Sequence, residues 1–313
     1  MAFRPSLRPL SAAPGASDSF GLGCAPIGNL YEPVADRDSD ATIERALARG
    51  IRFFDTAPHY GAGVSEQRLG RAIAGVDRDS IVIATKVGRR IVDADGAEAP
   101  AGRVGAATVG DLSRDGVMRS LEGSLARLGT ERIDLLYLHD PEDVDDALRT
   151  AMPALVELRD QGVVRAIGVG MVWNEPLERF VRESPVDVVM IAGRVTLLDR
   201  SAEPDLLPAA EEQGVGVIAA GVFNSGILAD PLGTPCFDYR PAAPEVVERA
   251  RRLADACMRH GVALPHAAAR HPLRREPVEA VVVGARTPAE VDSFADGMDA
   301  EIPEVLWAEL DAT

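Results

Sequence analysis

Three short apolar runs each end in an ionisable side chain: FFD closes on Asp55, IATK on Lys86 and LLYLH on His139. Tyr60 lies in the short loop after Asp55, in the segment DTAPHYG. A carboxylate, an ammonium, a phenol and an imidazole at strand ends suit the interconversion of an alcohol or hemiacetal with its carbonyl compound. Hydride delivery to a carbonyl makes an alkoxide, which needs a proton from a group within hydrogen-bond reach. A free tyrosine titrates near ~10, too high for efficient acid–base work at neutral pH. A neighbouring ammonium stabilises the phenolate and lowers that value. In this scheme Tyr60 exchanges the proton, Lys86 tunes it, Asp55 keeps the ammonium charged and oriented, and His139 holds the substrate oxygen. No activated serine or thiolate is evident, and the hydride has to come from a cofactor because no side chain supplies one.

Of the 33 basic residues, only Lys86 is lysine. A chain so biased toward arginine keeps a lysine where guanidinium does not serve. The ammonium is compact and its pKa tunable, whereas guanidinium is planar and permanently charged.

The elements that must position these groups follow from the hydrophobic pattern. Apolar runs at 20–26, 51–55, 81–86, 133–139, 163–169, 186–192, 215–220 and 280–284 read as buried parallel strands, because both faces are apolar. Helical patterns fall between and after them at 40–49, 65–74, 113–128, 143–161, 175–182, 203–213, 245–260 and 288–297. Several open on a capping residue, such as Ser113 or Thr287 before Pro288, and several close on glycine, as at Gly129 and Gly214. Strict alternation predicts a (β/α)₈ TIM barrel, a single domain over 1–313 with residues 1–19 as a peripheral extension. A doubly wound open sheet is the alternative, and it lacks the GxGxxG turn expected after its first strand. The two long connections, 88–112 and 221–244, follow strands and so belong to the barrel face where active sites are built.

A net charge of −16 argues against nucleic acid and anionic membranes as partners, leaving a small-molecule substrate. No apolar stretch approaches the length of a membrane span, and residues 1–20 lack the apolar run of a signal peptide. Cys24, Cys236 and Cys257 are scattered and show no metal-ligand spacing, which predicts no metal and a reducing, cytoplasmic setting.

From GLGCAPIGNLY at 21–31 to VVVGARTPAEVDSF at 281–294, the chain resembles the aldo-keto reductase family. The run from Asp55 to Tyr60 and Gly61 matches that family's aspartate-to-tyrosine motif, with Lys86 and His139 in frame. Within it, APIGNLY, FDTAPHYG, GVGM, AGR, TLL and AAGVFNSGIL are similar to the branch of aldose 1-dehydrogenases and pyridoxal 4-dehydrogenases. The resemblance implies a nicotinamide dinucleotide, NAD or NADP, extended over the barrel mouth. Its implied contacts are Gly23, Cys24, Met171, Val222, Phe223, Asn224, Gly226, Gly284, Arg286 and Glu290, with Arg194 facing either the cofactor or a carboxylate. Substrate contacts are Asn29, Tyr31 and His59, with Trp173 as a stacking wall or a packed lid.

Two departures matter. Many members hold the nicotinamide carboxamide with serine and asparagine after the fifth strand, where this chain reads Gly168 to Asn174, with Asn174 displaced by at least two positions. NADP-preferring members place lysine, serine and arginine around the 2′-phosphate, where this chain has Gly284, Ala285 and Glu290, which predicts NAD; Arg286 is the counterweight. An aldose oxidised at its anomeric carbon is the leading substrate. Val195 and Trp173 point instead to a more apolar pocket suited to pyridoxal or a hydrophobic aldehyde. Readings of another class are a Schiff-base lyase acting through Lys86 and a non-catalytic nucleotide-binding barrel.

The lone lysine carries its own test. Lys86→Arg is expected to lose activity almost as completely as Lys86→Met, because a planar guanidinium does not fit an ammonium's place between Asp55 and Tyr60. Retention of most of the wild-type kcat by Lys86→Arg would remove the argument.

Overall fold

Burial of both faces of eight apolar runs shapes the chain, seen here in a computed structural model that describes residues 19–30, 32–233 and 235–313. The expected N-terminal extension, apart from Ser19, and the candidate Tyr31 lie outside the described residues. Eight strands close into a barrel: β1 (Phe20–Gly23), β2 (Phe53–Asp55), β3 (Val82–Val87), β4 (Ile133–His139), β5 (Val164–Met171), β6 (Val188–Ala192), β7 (Gly216–Ala220) and β8 (Val278–Gly284). Each strand pairs in parallel with its sequence neighbours, and β8 closes on β1.

The helices wrap this barrel: α1 (Asp36–Ala48), α2 (Val64–Ile73), α3 (Arg114–Leu128), α4 (Val144–Arg149), α5 (Ala151–Asp160), α6 (Asn174–Glu183), α7 (Leu206–Gln213), α8 (Pro244–Arg259), α9 (Leu264–Arg270), α10 (Pro288–Asp299) and α11 (Glu304–Ala312). Caps set their limits. Ser113 Oγ accepts from the Gly116 N–H to start α3, which ends on left-handed Gly129. Thr287 accepts from the Glu290 N–H at the start of α10, with Pro288 in the first turn.

Successive strand residues face opposite sides. Phe53, Val82, Ala84, Leu135, Tyr137, Ala166, Val188, Met190, Ile218, Ala280 and Val282 pack together as one cluster of their own inside the barrel. The residues between them, such as Phe54, Ile83, Leu136 and Val189, pack in a second layer that includes the helices. Two steps beyond the last inward apolar residue lie Asp55 on β2, Lys86 on β3 and His139 on β4. The pleat therefore delivers all three to the same mouth. At the opposite end Asp134 accepts from the Ile83 N–H (2.9 Å) and Arg78 (2.6 Å), and Asp187 accepts from the Ile167 N–H (3.0 Å) and Arg159 (3.0 Å). These carboxylates tie neighbouring strands at their starts.

The expected helix 143–161 is two helices, α4 and α5, broken at Thr150. Pro153 is the reason: it has no N–H for the Arg149 carbonyl, and its ring crowds that turn. The 88–112 connection contains an antiparallel hairpin, Arg89–Val92 with Ala107–Gly110, where sequence reasoning expects a loop. A second small hairpin, Cys236–Phe237 with Arg240–Pro241, lies in 221–244. Helices α9 and α11 are also additions to the expected set; α11 packs Leu306, Trp307 and Leu310 against Leu253 and Cys257 of α8. Among the described residues no helix is long and apolar enough to cross a membrane.

Candidate active site

Lys86 is the hub of the mouth. Its Nζ donates to Asp55 Oδ1 (3.0 Å), Asp55 Oδ2 (2.8 Å), the Thr56 carbonyl (3.0 Å) and Tyr60 Oη (3.0 Å). Both Lys86 and Asp55 are buried. The phenol is carried by a tight turn in which the Tyr60 N–H reaches the Ala57 carbonyl, and Gly61 takes a positive φ of 65°. The β1 loop packs directly on this turn, because a Cβ at Gly28 would come within 2.9 Å of the Tyr60 carbonyl oxygen. The His139 ring stands perpendicular to the Tyr60 ring, their centroids 5.8 Å apart. Both side chains border the same cavity.

Burial opposes the charge on Lys86, but Asp55 and Tyr60 outweigh it and hold the amine above its ordinary range. For Tyr60 the balance differs from the sequence expectation. Burial pushes the phenol up, and the downward pull of Lys86 does not overcome it. Lys86 is already held by both oxygens of Asp55, and that carboxylate itself raises the phenol. The resting phenol is therefore protonated. Burial and then the Lys86 charge push His139 well below the usual imidazole range, so it is neutral. Nδ1 is buried with no hydrogen-bond partner among the described residues, while Nε2 lies 3.5 Å from Asp140 Oδ2. A buried N–H without an acceptor is costly, so the proton belongs on Nε2.

These groups border a cavity of about 1070 Å³ that also reaches the first turn of α10. Gly23, Met171, Val222, Phe223, Gly226, Gly284, Arg286 and Glu290 line it, as do Asn29 and His59. The side of the Asn29 carboxamide that accepts is already engaged, by the Val34 N–H (2.9 Å) and Arg68 (3.0 Å). His59 Nδ1 meets Thr108 Oγ1 of the first hairpin at 2.5 Å.

Four other candidates lie outside the lining. Cys24 is buried, its carbonyl accepting from Ser65 Oγ (2.7 Å). Arg194 pairs with Asp199 (3.1 Å) and Asp238 (3.0 Å) and donates to the Val172 carbonyl (3.0 Å). Asn224 is buried and donates to the Gly193 carbonyl (3.1 Å). Trp173 is about half exposed and caps α6. Asn174, the displaced carboxamide, donates to Ser201 Oγ (3.0 Å).

Sequence reasoning missed several wall residues. Tyr239 reaches the cavity from the turn of the second hairpin, where Asp238 and Tyr239 both have positive φ, 49° and 62°. A two-residue turn with both φ positive is a hairpin turn type usually marked by Asn-Gly, and Asp-Tyr gives no such signal. Asp140, known from sequence only as a neighbour of His139, also lines the cavity, with a left-handed φ of 43°.

The cavity fits an extended dinucleotide. The small residues Gly170, Ala192 and Ala220 are in its lining, and it reaches the first turn of α10, whose N-terminus is suited to a phosphate.

A closed parallel barrel with a buried lysine joining a carboxylate to a phenol at its mouth defines a barrel oxidoreductase that works with a nicotinamide cofactor. The chain belongs to the aldo/keto reductase family, whose family model matches residues 19–313. It is 42% identical to a D-threo-aldose 1-dehydrogenase from a Pseudomonas species over 97% of both chains. It is 37% identical to a pyridoxal 4-dehydrogenase from Microbacterium luteolum, covering 93% of this chain and 92% of that one. Among solved structures it is similar to the glycerol dehydrogenase of Gluconobacter oxydans, with a TM-score of 0.76, 27% identity and coverage of 94% and 90% of the two chains. The protein is an oxidoreductase.

The neutral His139 has a thermodynamic consequence. Below its unfolded pKa of about 6.5, the unfolded chain binds a proton there that the folded chain does not, so this contribution falls by up to about 1.4 kcal/mol per pH unit as pH drops. Urea unfolding from about pH 7.5 to 5.5 should show stability falling more steeply in wild type than in His139→Asn. Parallel curves would mean that the folded imidazole carries a charge.

Proposed function

We propose that this enzyme oxidises a free aldose at its anomeric carbon with NAD, using Tyr60 for proton transfer and Asp55, Lys86 and His139 in support. The observation that carries the chemistry is the 3.0 Å contact from Lys86 Nζ to Tyr60 Oη, with Lys86 anchored on both oxygens of Asp55. A bound nicotinamide supplies the hydride acceptor. His139, through its Nε2–H, holds the oxygen on the reacting carbon. In oxidation the Tyr60 oxygen takes that oxygen's proton; in the reverse direction the phenol returns it. Because burial keeps the phenol protonated, oxidation should speed up toward alkaline pH. Gly23, Met171, Val222, Phe223, Gly226 and Gly284 line the stretch where the dinucleotide would lie. A lyase reading fits less well, since an amine that forms an imine must lose its proton, and Lys86 is held charged.

The aldose reading draws support from the 42% identical relative and from the polar lining at Asn29, His59 and Asp140. Val195 is buried and neither it nor Trp173 is in the lining, so neither makes the pocket apolar. A second reading, pyridoxal or a hydrophobic aldehyde, is favoured by the pyridoxal 4-dehydrogenase relative and by Met171, Val172 and Met190 in the wall. The three free cysteines suit a reducing, cytoplasmic setting.

NAD is favoured by the charge pattern at α10. Glu290 accepts from the Arg286 N–H (2.7 Å), from Nη2 (2.8 Å) and from Nε (3.2 Å), and Glu32 takes the remaining arm of the guanidinium. Two carboxylates already hold the cation that a 2′-phosphate would need.

Tyr60→Phe should lower kcat/KM for aldose oxidation at least ~10²-fold while dinucleotide binding, followed by fluorescence, changes little. Aldehyde reduction without oxidation of any pentose or hexose would move the assignment to the second reading. For the cofactor, wild type is expected to have a kcat/KM for NAD at least equal to that for NADP. Glu290→Arg should shift the ratio toward NADP by roughly ten- to a hundred-fold. A wild type preferring NADP more than tenfold, with Arg286→Ala abolishing that preference, would show Arg286 winning over the two carboxylates.

A further inference from the structure

Among the described residues Asp140 is the carboxylate next to His139 that the proton-transfer scheme leaves unused. It follows His139 in the chain, lines the cavity, and is held in the left-handed region by its N–H bonding to the Gly170 carbonyl (3.0 Å). Its Oδ1 is buried with no hydrogen-bond partner among the described residues, and its Oδ2 lies 3.5 Å from His139 Nε2. The nearest guanidinium, Arg89, does not satisfy it: Arg89 Nη2 is directed to the Asp140 backbone carbonyl at 3.4 Å and stands 4.0 Å from Glu142.

We propose that Asp140 is a specificity-determining residue whose carboxylate accepts the hydrogen of a substrate hydroxyl on the carbon next to the reacting one. The proposal deepens the aldose reading and rests on it. His139 Nε2–H fixes where the reacting oxygen binds, and the carboxylate begins one contact away from that nitrogen. Vicinal oxygens of a sugar lie about a hydrogen-bond length apart, so an oxygen on His139 brings its neighbour to Asp140. Oδ1 is buried, so the hydroxyl meets the partly exposed side of the carboxylate at Oδ2, the oxygen nearer His139. A substrate without it leaves a partly buried carboxylate unpaired, which is how a polar site rejects a deoxy or apolar analogue. His59, edge-on to His139 at 5.7 Å, completes a polar wall beside the same carbon.

The test uses the full-length enzyme with NAD(H) and two substrate pairs that differ by this hydroxyl. One is the oxidation of D-arabinose against 2-deoxy-D-ribose, and the other is the reduction of glycolaldehyde against acetaldehyde. Asparagine and glycine both tolerate the left-handed backbone, so Asp140→Asn and Asp140→Gly keep the local chain path. In Asp140→Gly the kcat/KM ratio of hydroxylated to deoxy substrate should fall roughly ten- to a hundred-fold. In Asp140→Asn it should fall less, because the amide oxygen still accepts. A purely structural effect lowers both members of a pair alike and leaves the ratio unmoved; that result in both pairs overturns the proposal. Loss of discrimination in the aldehyde pair, in an enzyme that oxidises no aldose, upholds Asp140 and overturns the aldose reading. Aldose oxidation with unmoved ratios does the reverse.

Discussion

A single buried ammonium organises the mouth of this barrel. Lys86 has three protons and four acceptors around it: both oxygens of Asp55, the Thr56 carbonyl and the Tyr60 phenol. Removing one partner from a buried ion pair strands the other charge in a low-dielectric site, which is far costlier than losing a surface pair. The groups around Lys86 are therefore locked to one another, and the phenol's position follows from the lysine's. The barrel beneath serves this arrangement. Its inward residues, from Phe53 to Val82 and Ala84 and on to Leu135 and Tyr137, fill the interior so that the ammonium has nowhere to go but the mouth.

Charge elsewhere is arranged to spare the site. The chain is strongly acidic, yet the carboxylates outside the mouth are largely committed to arginines. Arg194 binds Asp199 and Asp238 and so links the loop after β6 to the hairpin that carries Tyr239. Arg286 binds Glu290 and Glu32 and so joins the β1 loop to α10. Arginine suits these ties because its planar fork holds two partners at fixed geometry. Lysine's compact charge is kept for the one place where a tetrahedral donor must reach a carboxylate, a carbonyl and a phenol together.

The charge state of Tyr60 depends on more than its lysine neighbour. A lysine beside a tyrosine lowers the phenol's pKa, and the contact is present at 3.0 Å. Desolvation and the carboxylate behind the lysine outweigh it, leaving the phenol above its ordinary value. Only the depth of the site decides that balance.

The barrel, the four residues at its mouth and the family were all legible in the chain, because buried parallel strands announce themselves as two-faced apolar runs and ionisable residues stand at the ends of three of them. The break at Thr150 was legible in principle from Pro153, but a continuous apolar stripe concealed it. What the tertiary structure alone decided lies in the loops. Arg194 takes two carboxylates, Asn224 takes the Gly193 carbonyl, Trp173 is not among the residues that line the cavity, and Tyr239 and Asp140 reach it from left-handed backbone positions. Strand periodicity fixes a side chain's direction two residues at a time, so it determines the mouth. Loop side chains answer to no such period, and their places follow from hydrogen bonds to segments distant in the chain.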